Sequence, residues 1–509
     1  MSIISLDFFF LFGASVLIYY LFPKKIRWIL LVIYSTIFLA FSCTETTIVY
    51  VFANILITYI STMLMKKCHG SKWKTPILLI SLLGNIGILA VLKYSNFAIN
   101  NINALSHFWG NETGLSLVRI PAPIGISFYT LISVGYILDC YWELEEPQTN
   151  LLKTALFIGY YPQLTSGPIY RYSEMKDQLY EGHDFRYKNI AFGCQRILWG
   201  IFKKLVISSR VAIIVDGIYA DVNTYNGLYI WLSAALFILQ LYTDFSGCMD
   251  IVLGVSECYG IILPENFKTP FRSTSVQEFW QRWHITLGGW FKDYVMYSIL
   301  RLKGMKKLSK WLKKHVGKKT ERQITSYFAM LCVWFLIGLW HGGQWKYVIG
   351  MGIWFWTCIV LNQLLQPIYK KIICILKIDV NSFSWKLLMS IKVFSLVAIG
   401  DMFFRLGSLK ETLQTIKYGF AQYNPWIFFD GSILKFGLTY TDVNIILYGI
   451  LLLLVVGMLQ VKFNSAREWI SKQLFIFRWS LWYMLITVIL VYGMYGPGYS
   501  AAEFIYRGF

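Results

Sequence analysis

Two histidines set among aromatic and small residues are the groups in this chain best suited to chemistry. The first lies in Gly338-Leu339-Trp340-His341-Gly342-Gly343-Gln344-Trp345, at the end of the apolar run 327–337. Ionisable residues at membrane depth are costly to keep and mark sites. Out of water a histidine favours its neutral form, and a neutral imidazole is competent as a general base near pH 7. Glycines on both sides let another backbone, or a thin acyl chain, approach the ring. A histidine bonded across helices to hold packing fits the same residues, and residue physics leaves both readings open. The second histidine sits in Phe279-Trp280-Gln281-Arg282-Trp283-His284-Ile285-Thr286-Leu287. Helical spacing predicts Trp280 and His284 on one face, and Trp283 with Leu287; an aromatic, cationic face also suits an interfacial helix. No cysteine or serine is paired with a base at a recognisable spacing, so none is nominated as a nucleophile. The six histidines form no HxxxH pair and the nine cysteines no CxxC pair, so no metal site is expected. The cysteines read as small apolar residues.

These groups must be positioned inside a membrane. Of the 509 residues 56% are hydrophobic and only 15% charged, against roughly 25% charged in an ordinary soluble domain. Stretches of about 20 apolar residues, enough to cross the hydrocarbon core, recur along the chain, and roughly ten or more transmembrane helices are expected. The net charge of +20 sits between apolar segments and reads as topology, so no nucleic-acid partner is expected. Lys24, Lys25 and Arg27 follow the first apolar run instead of preceding it, so residues 1–22 are expected to remain as the first span. That loop is assigned to the cytoplasm and the N-terminus to the outside. Spans at about 28–43 and 46–65 return the chain to Lys66, Lys67, Lys72 and Lys74, again on the cytoplasmic side. After a span at about 77–92, residues 95–120 carry one Arg and no Lys, as an external stretch should. The triplet Asn111-Glu112-Thr113 matches a glycosylation sequon but is given no weight. Residues 121–140 form the next inward span. Residues 151–165 are too short to cross upright and are read as re-entrant.

Apolar stretches at about 191–215, interrupted by Lys203-Lys204, and 228–247 lead to the polar, tryptophan-rich segment 264–300. That segment is too polar to face lipid and must be buried in protein or line a cavity. In 301–322 ten Lys/Arg stand against one acid, Glu321. The run reads either as a cytoplasmic anchor on anionic headgroups or as a dock for an acidic acyl donor. Entry of the following helix at about Gln323 would put His341 about 27 Å along it, close to the far face of a roughly 30 Å core. Further spans fall near 325–345, 346–369, 386–404, 440–461 and 476–495. Polarity concentrated around 264–345, with no internal repeat, weighs against a proton-coupled transporter built of matched halves. Three regions are expected: N-terminal helices 1–120, a core at 121–345, and C-terminal helices 346–509.

The sequence resembles the membrane-bound O-acyltransferase (MBOAT) family. The resemblance is carried by Glu278-Phe279-Trp280-Gln281-Arg282-Trp283-His284, Trp290-Phe291-Lys292-Asp293-Tyr294 and Gly338-Leu339-Trp340-His341-Gly342. Tyr161-Pro162-Gln163-Leu164 with Gly167-Pro168-Ile169, Asp244-Phe245-Ser246-Gly247 with Asp250, Pro264-Glu265-Asn266-Phe267, and Phe403-Phe404-Arg405 with Ser408-Leu409 extend it to about 120–415, in the manner of the bacterial alginate and peptidoglycan O-acetylation branch. The resemblance implies an all-α polytopic fold with re-entrant helices forming a funnel pierced by a thin channel. It implies His341 and His284 as the catalytic pair, with Trp280, Arg282, Trp283, Asp293, Tyr294, Trp340, Asp244, Ser246 and Asn266 supporting them or lining the channel. It further implies a multi-pass cell-membrane enzyme without a bound cofactor. Such an enzyme would take an acyl thioester, acetyl-CoA or an acyl-carrier protein, as co-substrate, and work with an extracytoplasmic SGNH-type partner to esterify a cell-envelope polysaccharide. After Asp293-Tyr294 the chain continues as Val295-Met296-Tyr297 where alginate-type proteins carry a proline- and glycine-rich stretch, which leaves D-alanyl transfer to teichoic acid open beside O-acetylation.

Overall fold

A computed structural model of the chain describes residues 2–110, 114–118 and 123–496. Among the described residues regular structure is helical, apart from a single antiparallel bridge between Phe267 and Trp283. The solvent dictates this: hydrocarbon offers no partners to backbone N–H and C=O groups, and a helix satisfies them within its own segment. Nine of the described helices are long and apolar enough to cross a membrane, and Leu6–Leu21 and Ile126–Tyr141 are shorter apolar helices. The chain is therefore an all-α, multi-pass membrane protein. Helix starts are set locally by caps. Ser5 accepts from the Phe8 N–H, Thr44 from Thr47 and Ser382 from Trp385, each satisfying a donor that the first turn leaves over.

One expected boundary moves. Lys74–Phe108 continues as a single helix through residues expected to be an external polar stretch. Its asparagines find partners there: the Asn96 carboxamide exchanges two hydrogen bonds of 2.9 Å with the Val118 backbone, and Asn103 exchanges two, of 2.9 and 2.7 Å, with the Leu115 backbone. The sequon triplet 111–113, and Pro121 at the start of the next expected span, lie outside the described residues. Leu151–Gly159 is a nine-residue helix started by Asn150, whose side chain accepts from Leu152 and Lys153, and it runs into the buried turn 160–166.

The chain divides into two compact units. One takes the residues up to Ile197 together with Cys248–Pro264; the other takes Leu198–Gly247 and the described residues from Glu265 onward. In the first, buried amides and hydroxyls join helices: Asn54 Nδ2 donates to Asn85 Oδ1 at 2.6 Å, and Tyr161 and Tyr259 share a hydrogen bond at 2.8 Å. Its loops are tied by ion pairs, Lys24–Asp184 at 2.7 Å, Lys74–Glu143, and Lys176–Glu145 at 2.8 Å. Hydrogen bonds from Lys24 and Lys74 hold the Asp184 and Glu143 carboxyls below the ordinary carboxylate range.

The second unit carries both histidines. Its helix Lys303–His341 is broken at Gly317, which adopts φ 80° and ψ 163°, a conformation that glycine takes without steric cost. Before the break lies an exposed basic segment; Glu321, just beyond it, is buried and accepts a hydrogen bond from Ser309 at 2.7 Å. After the break, residues 318–341 run helically over about 36 Å, so the helix begins earlier than Gln323 and His341 is its last residue. Three π turns, Phe202–Ser208, Phe291–Met296 and Val348–Ile353, interrupt the helices of this unit. Such single-turn insertions are frequent at functional sites.

Candidate active site

His341 is held by a hairpin whose two arms meet backbone to backbone. A methyl group on Gly338 would stand 2.7 Å from the Tyr347 carbonyl oxygen and 2.8 Å from the Val348 Cα, and one on Gly352 would stand 2.6 Å from the Trp334 carbonyl oxygen. Small residues permit this approach, which folds the π turn Val348–Ile353 against the end of the helix bearing His341. Gly342 is extended, and its α-carbon lies so close to the Tyr347 ring that a Cβ would fall 2.3 Å from it. Helix Phe383–Arg405 closes on the same turn, with Gly350 against Phe403. Phe404 lies edge-on to His341, ring centroids 5.8 Å apart.

His284 is positioned differently from the helical expectation. Helix Val276–Arg282 stops before it, Trp283 is extended (φ −116°, ψ 129°), and His284 adopts the left-handed conformation φ 48°, ψ 48° before Ile285–Trp290 resumes the helix. Trp280 and His284 therefore do not share a helix face. The physical reason is backbone pairing with the segment around Asn266: Lys268 N–H donates to Arg282 O at 2.9 Å and Ile285 N–H to Asn266 O at 3.1 Å. The Asn266 side chain completes the crossing. Its Oδ1 lies 3.1 Å from Thr286 N, 3.0 Å from Thr286 Oγ1 and 3.3 Å from His284 Nδ1.

These two constructions bring the histidines together. Both are 3% exposed. Trp340 packs on both rings, 5.8 Å from His284 and 5.1 Å from His341, and Phe245 lies edge-on to His284 at 4.9 Å. The two imidazoles are within electrostatic reach of each other. Of the other residues singled out from sequence, Trp283 is buried against Tyr242, Phe267 and Phe279, and Trp280 packs on Trp334 and Phe355. Asp244 and Ser246 flank Phe245 and bind the π turn Phe202–Ser208: Lys204 pairs with Asp244, and Lys203 donates to Ser246 Oγ at 2.8 Å. Arg282 turns away to Glu278 at 2.8 Å and Thr269 at 3.2 Å. Tyr294 is buried against Trp290, whereas Asp293 is exposed.

Sequence reading assigned no role to three groups. Lys203 and Lys204 were visible as charges inside an apolar stretch, but their partners were not. Phe404 was legible only as part of the Phe403-Phe404-Arg405 motif, and its place beside His341 was not. Asp401 is 2% exposed within Phe383–Arg405, and an acid in an apolar span was its signal. Tyr219, in the helix Ser209–Ala220, is within electrostatic reach of both Asp401 and Arg405, and Arg405 pairs with Asp216 at 2.6 Å. The arrangement offers two buried imidazoles in an aromatic, water-poor setting, with backbone close enough to constrain both. That suits proton transfer to and from a bound hydroxyl or thiol.

The MBOAT, membrane-bound O-acyltransferase family model matches residues 143–309, a stretch that holds Asp244, Ser246, Asn266 and His284. The chain is 30% identical over 392 residues to the "Probable alginate O-acetylase AlgI" of Pseudomonas syringae pv. tomato, covering 77% of this chain and 70% of that protein. It is 27% identical over 425 residues to the "Peptidoglycan O-acetyltransferase" of Helicobacter pylori, covering 78% and 73%. Similarity to the "Teichoic acid D-alanyltransferase" of Bacillus subtilis, 30% over 232 residues, covers only 44% of this chain and 55% of that protein.

Proposed function

The chain belongs to the membrane-bound O-acyltransferase family and is a membrane O-acetyltransferase, and from that premise we propose that it carries acetyl groups from a cytoplasmic thioester to hydroxyls of a cell-envelope polysaccharide outside the cell membrane. The donor is acetyl-CoA or an acyl-carrier protein, and an extracytoplasmic SGNH-type protein completes delivery to the polymer. His341 serves as general base. It takes the proton of the incoming hydroxyl as the oxygen bonds to the acyl carbon; the carbon–sulfur bond breaks, and the leaving thiolate regains a proton to become the free thiol. Base catalysis of this kind contributes roughly 10²–10⁴-fold, and burial limits hydrolysis of the thioester. His284 positions the reacting groups or supports the second proton transfer. Trp340, Trp280, Trp283 and Asn266 shape the site, while Asp244 and Ser246 hold the neighbouring π turn.

One observation carries this reading: the two histidines, 57 positions apart in sequence, are both 3% exposed and packed against the one Trp340 ring. Teichoic-acid D-alanylation is supported less well, because that similarity extends over less than half of the chain. The test is to measure alkali-labile acetate and D-alanine on surface polymers of cells carrying wild type, His341→Ala or His284→Ala at equal membrane abundance. Loss of acetate alone in His341→Ala supports the proposal. Loss of D-alanine alone replaces it with the teichoic-acid reading, and loss of neither refutes acyl transfer of both groups and favours transport.

A further inference from the structure

The contacts of Asn266 bear on which nitrogen of His284 holds the proton; the catalytic consequence of that choice rests on the acyl-transfer reading. The Thr286 backbone N–H can only donate, so the Asn266 side-chain atom 3.1 Å from it is the carboxamide oxygen, and the amide cannot be flipped. The Thr286 hydroxyl, at 3.0 Å, binds the same oxygen. A carboxamide oxygen only accepts, and His284 Nδ1 lies 3.3 Å from it. We infer that Asn266 is a positioning residue that holds neutral His284 as the Nδ1–H tautomer, so that Nε2, on the far edge of the ring from Asn266, keeps its lone pair and is the hydrogen-bond acceptor offered to substrate. The backbone fixes the position of the ring beside Asn266. The left-handed turn at His284 and its pairing with Asn266 O through Ile285 N–H fix where the ring leaves the chain, and such conformations persist only where surrounding structure over-determines them.

Two roles for position 284 are thereby separable. If the left-handed backbone is all that matters, asparagine, which tolerates that conformation, should replace histidine well, and the longer glutamine poorly. If the acceptor at the Nε2 position matters, glutamine, whose carbonyl oxygen reaches that place, should retain more activity than asparagine, which reaches only the Nδ1 position.

The experiment uses the full chain in lipid nanodiscs, labelled with ¹⁵N in the histidine rings, with the His284 signals assigned by their loss in His284→Asn. The expected wild-type spectrum shows a protonated Nδ1 and an unprotonated Nε2 at His284. Asn266→Leu loses this pattern, and Asn266→Asp, which keeps an acceptor oxygen, retains it. In turnover assays Asn266→Leu lowers kcat by roughly 10²–10⁴-fold, the range that acid–base catalysis supplies, with KM little changed, and His284→Gln exceeds His284→Asn. A protonated Nε2 in wild type, or His284→Asn equal to or better than His284→Gln, overturns the inference, and the latter comparison stands even where Asn266→Leu fails to fold. The tautomer is read without turnover, so activity that survives His341→Ala would refute the acyl-transfer mechanism while leaving the tautomer result intact.

Discussion

Gly338→Ala tests whether the backbone contact behind His341 sets its position. The added methyl would stand 2.7 Å from the Tyr347 carbonyl oxygen and 2.8 Å from the Val348 Cα. Both are main-chain atoms of the returning arm, so no side chain can swing aside. Reaching ordinary van der Waals contact at 3.4 Å requires the arms to part by about 0.7 Å. Alanine improves intrinsic helix propensity by roughly 0.8–1 kcal/mol over glycine, whereas overpacking costs about 1–3 kcal/mol, so the protein should still fold and accumulate. His341, three residues on at the end of the same helix, moves with it. A 1 Å misplacement can cost on the order of 10²-fold in rate, so the expected loss in kcat is about 10-fold to 10²-fold. The assay is acetyl transfer in membranes normalised to chain abundance, with Gly87→Ala, whose methyl meets only a Leu83 side-chain atom at 3.9 Å, as the matched control. Turnover of Gly338→Ala within twofold of wild type at equal abundance would refute the claim that this contact positions His341.

Other substitutions probe separate parts of the assembly. Lys204→Ala or Asp244→Ala breaks a buried ion pair whose side chains are 4% and 0% exposed, a loss of up to about 3–5 kcal/mol; thermal unfolding in detergent should drop, and Lys204→Met with Asp244→Leu should recover much of the loss. Equal unfolding temperatures for all three would show the pair to be inert. His341→Ala should lower acetyl ester formation by roughly 10²–10⁴-fold at constant abundance, and a loss under tenfold in a single-turnover assay would remove it from the role of base. Replacing Lys306, Lys307, Lys310, Lys313 and Lys314 by Gln should raise KM for an anionic thioester donor and flatten its dependence on ionic strength. An unchanged donor KM would assign that helix to lipid anchoring alone.

Composition and hydropathy were enough to establish a multi-pass helical membrane protein, because crossing a hydrocarbon layer is a local demand that each 20-residue stretch meets on its own. The positions of Trp340-His341 beside glycines, and of the tryptophan-rich segment around His284, were likewise legible, since buried ionisable residues stand out against apolar surroundings. Tertiary structure decided what local pattern does not encode. Helical spacing put Trp280 and His284 on one face, but pairing with the segment around Asn266 ends the helix at Arg282 and turns His284 left-handed. Lys203 and Lys204 read as an interruption until Asp244 and Ser246 were found opposite them. Phe404 was visible as part of a motif, but its place beside His341 comes from the glycine-mediated closure of Phe383–Arg405 onto the turn that follows His341. Hydropathy records the solvent each residue prefers; the partner each polar group finds within that solvent is set by long-range packing, and there the chemistry of this site was decided.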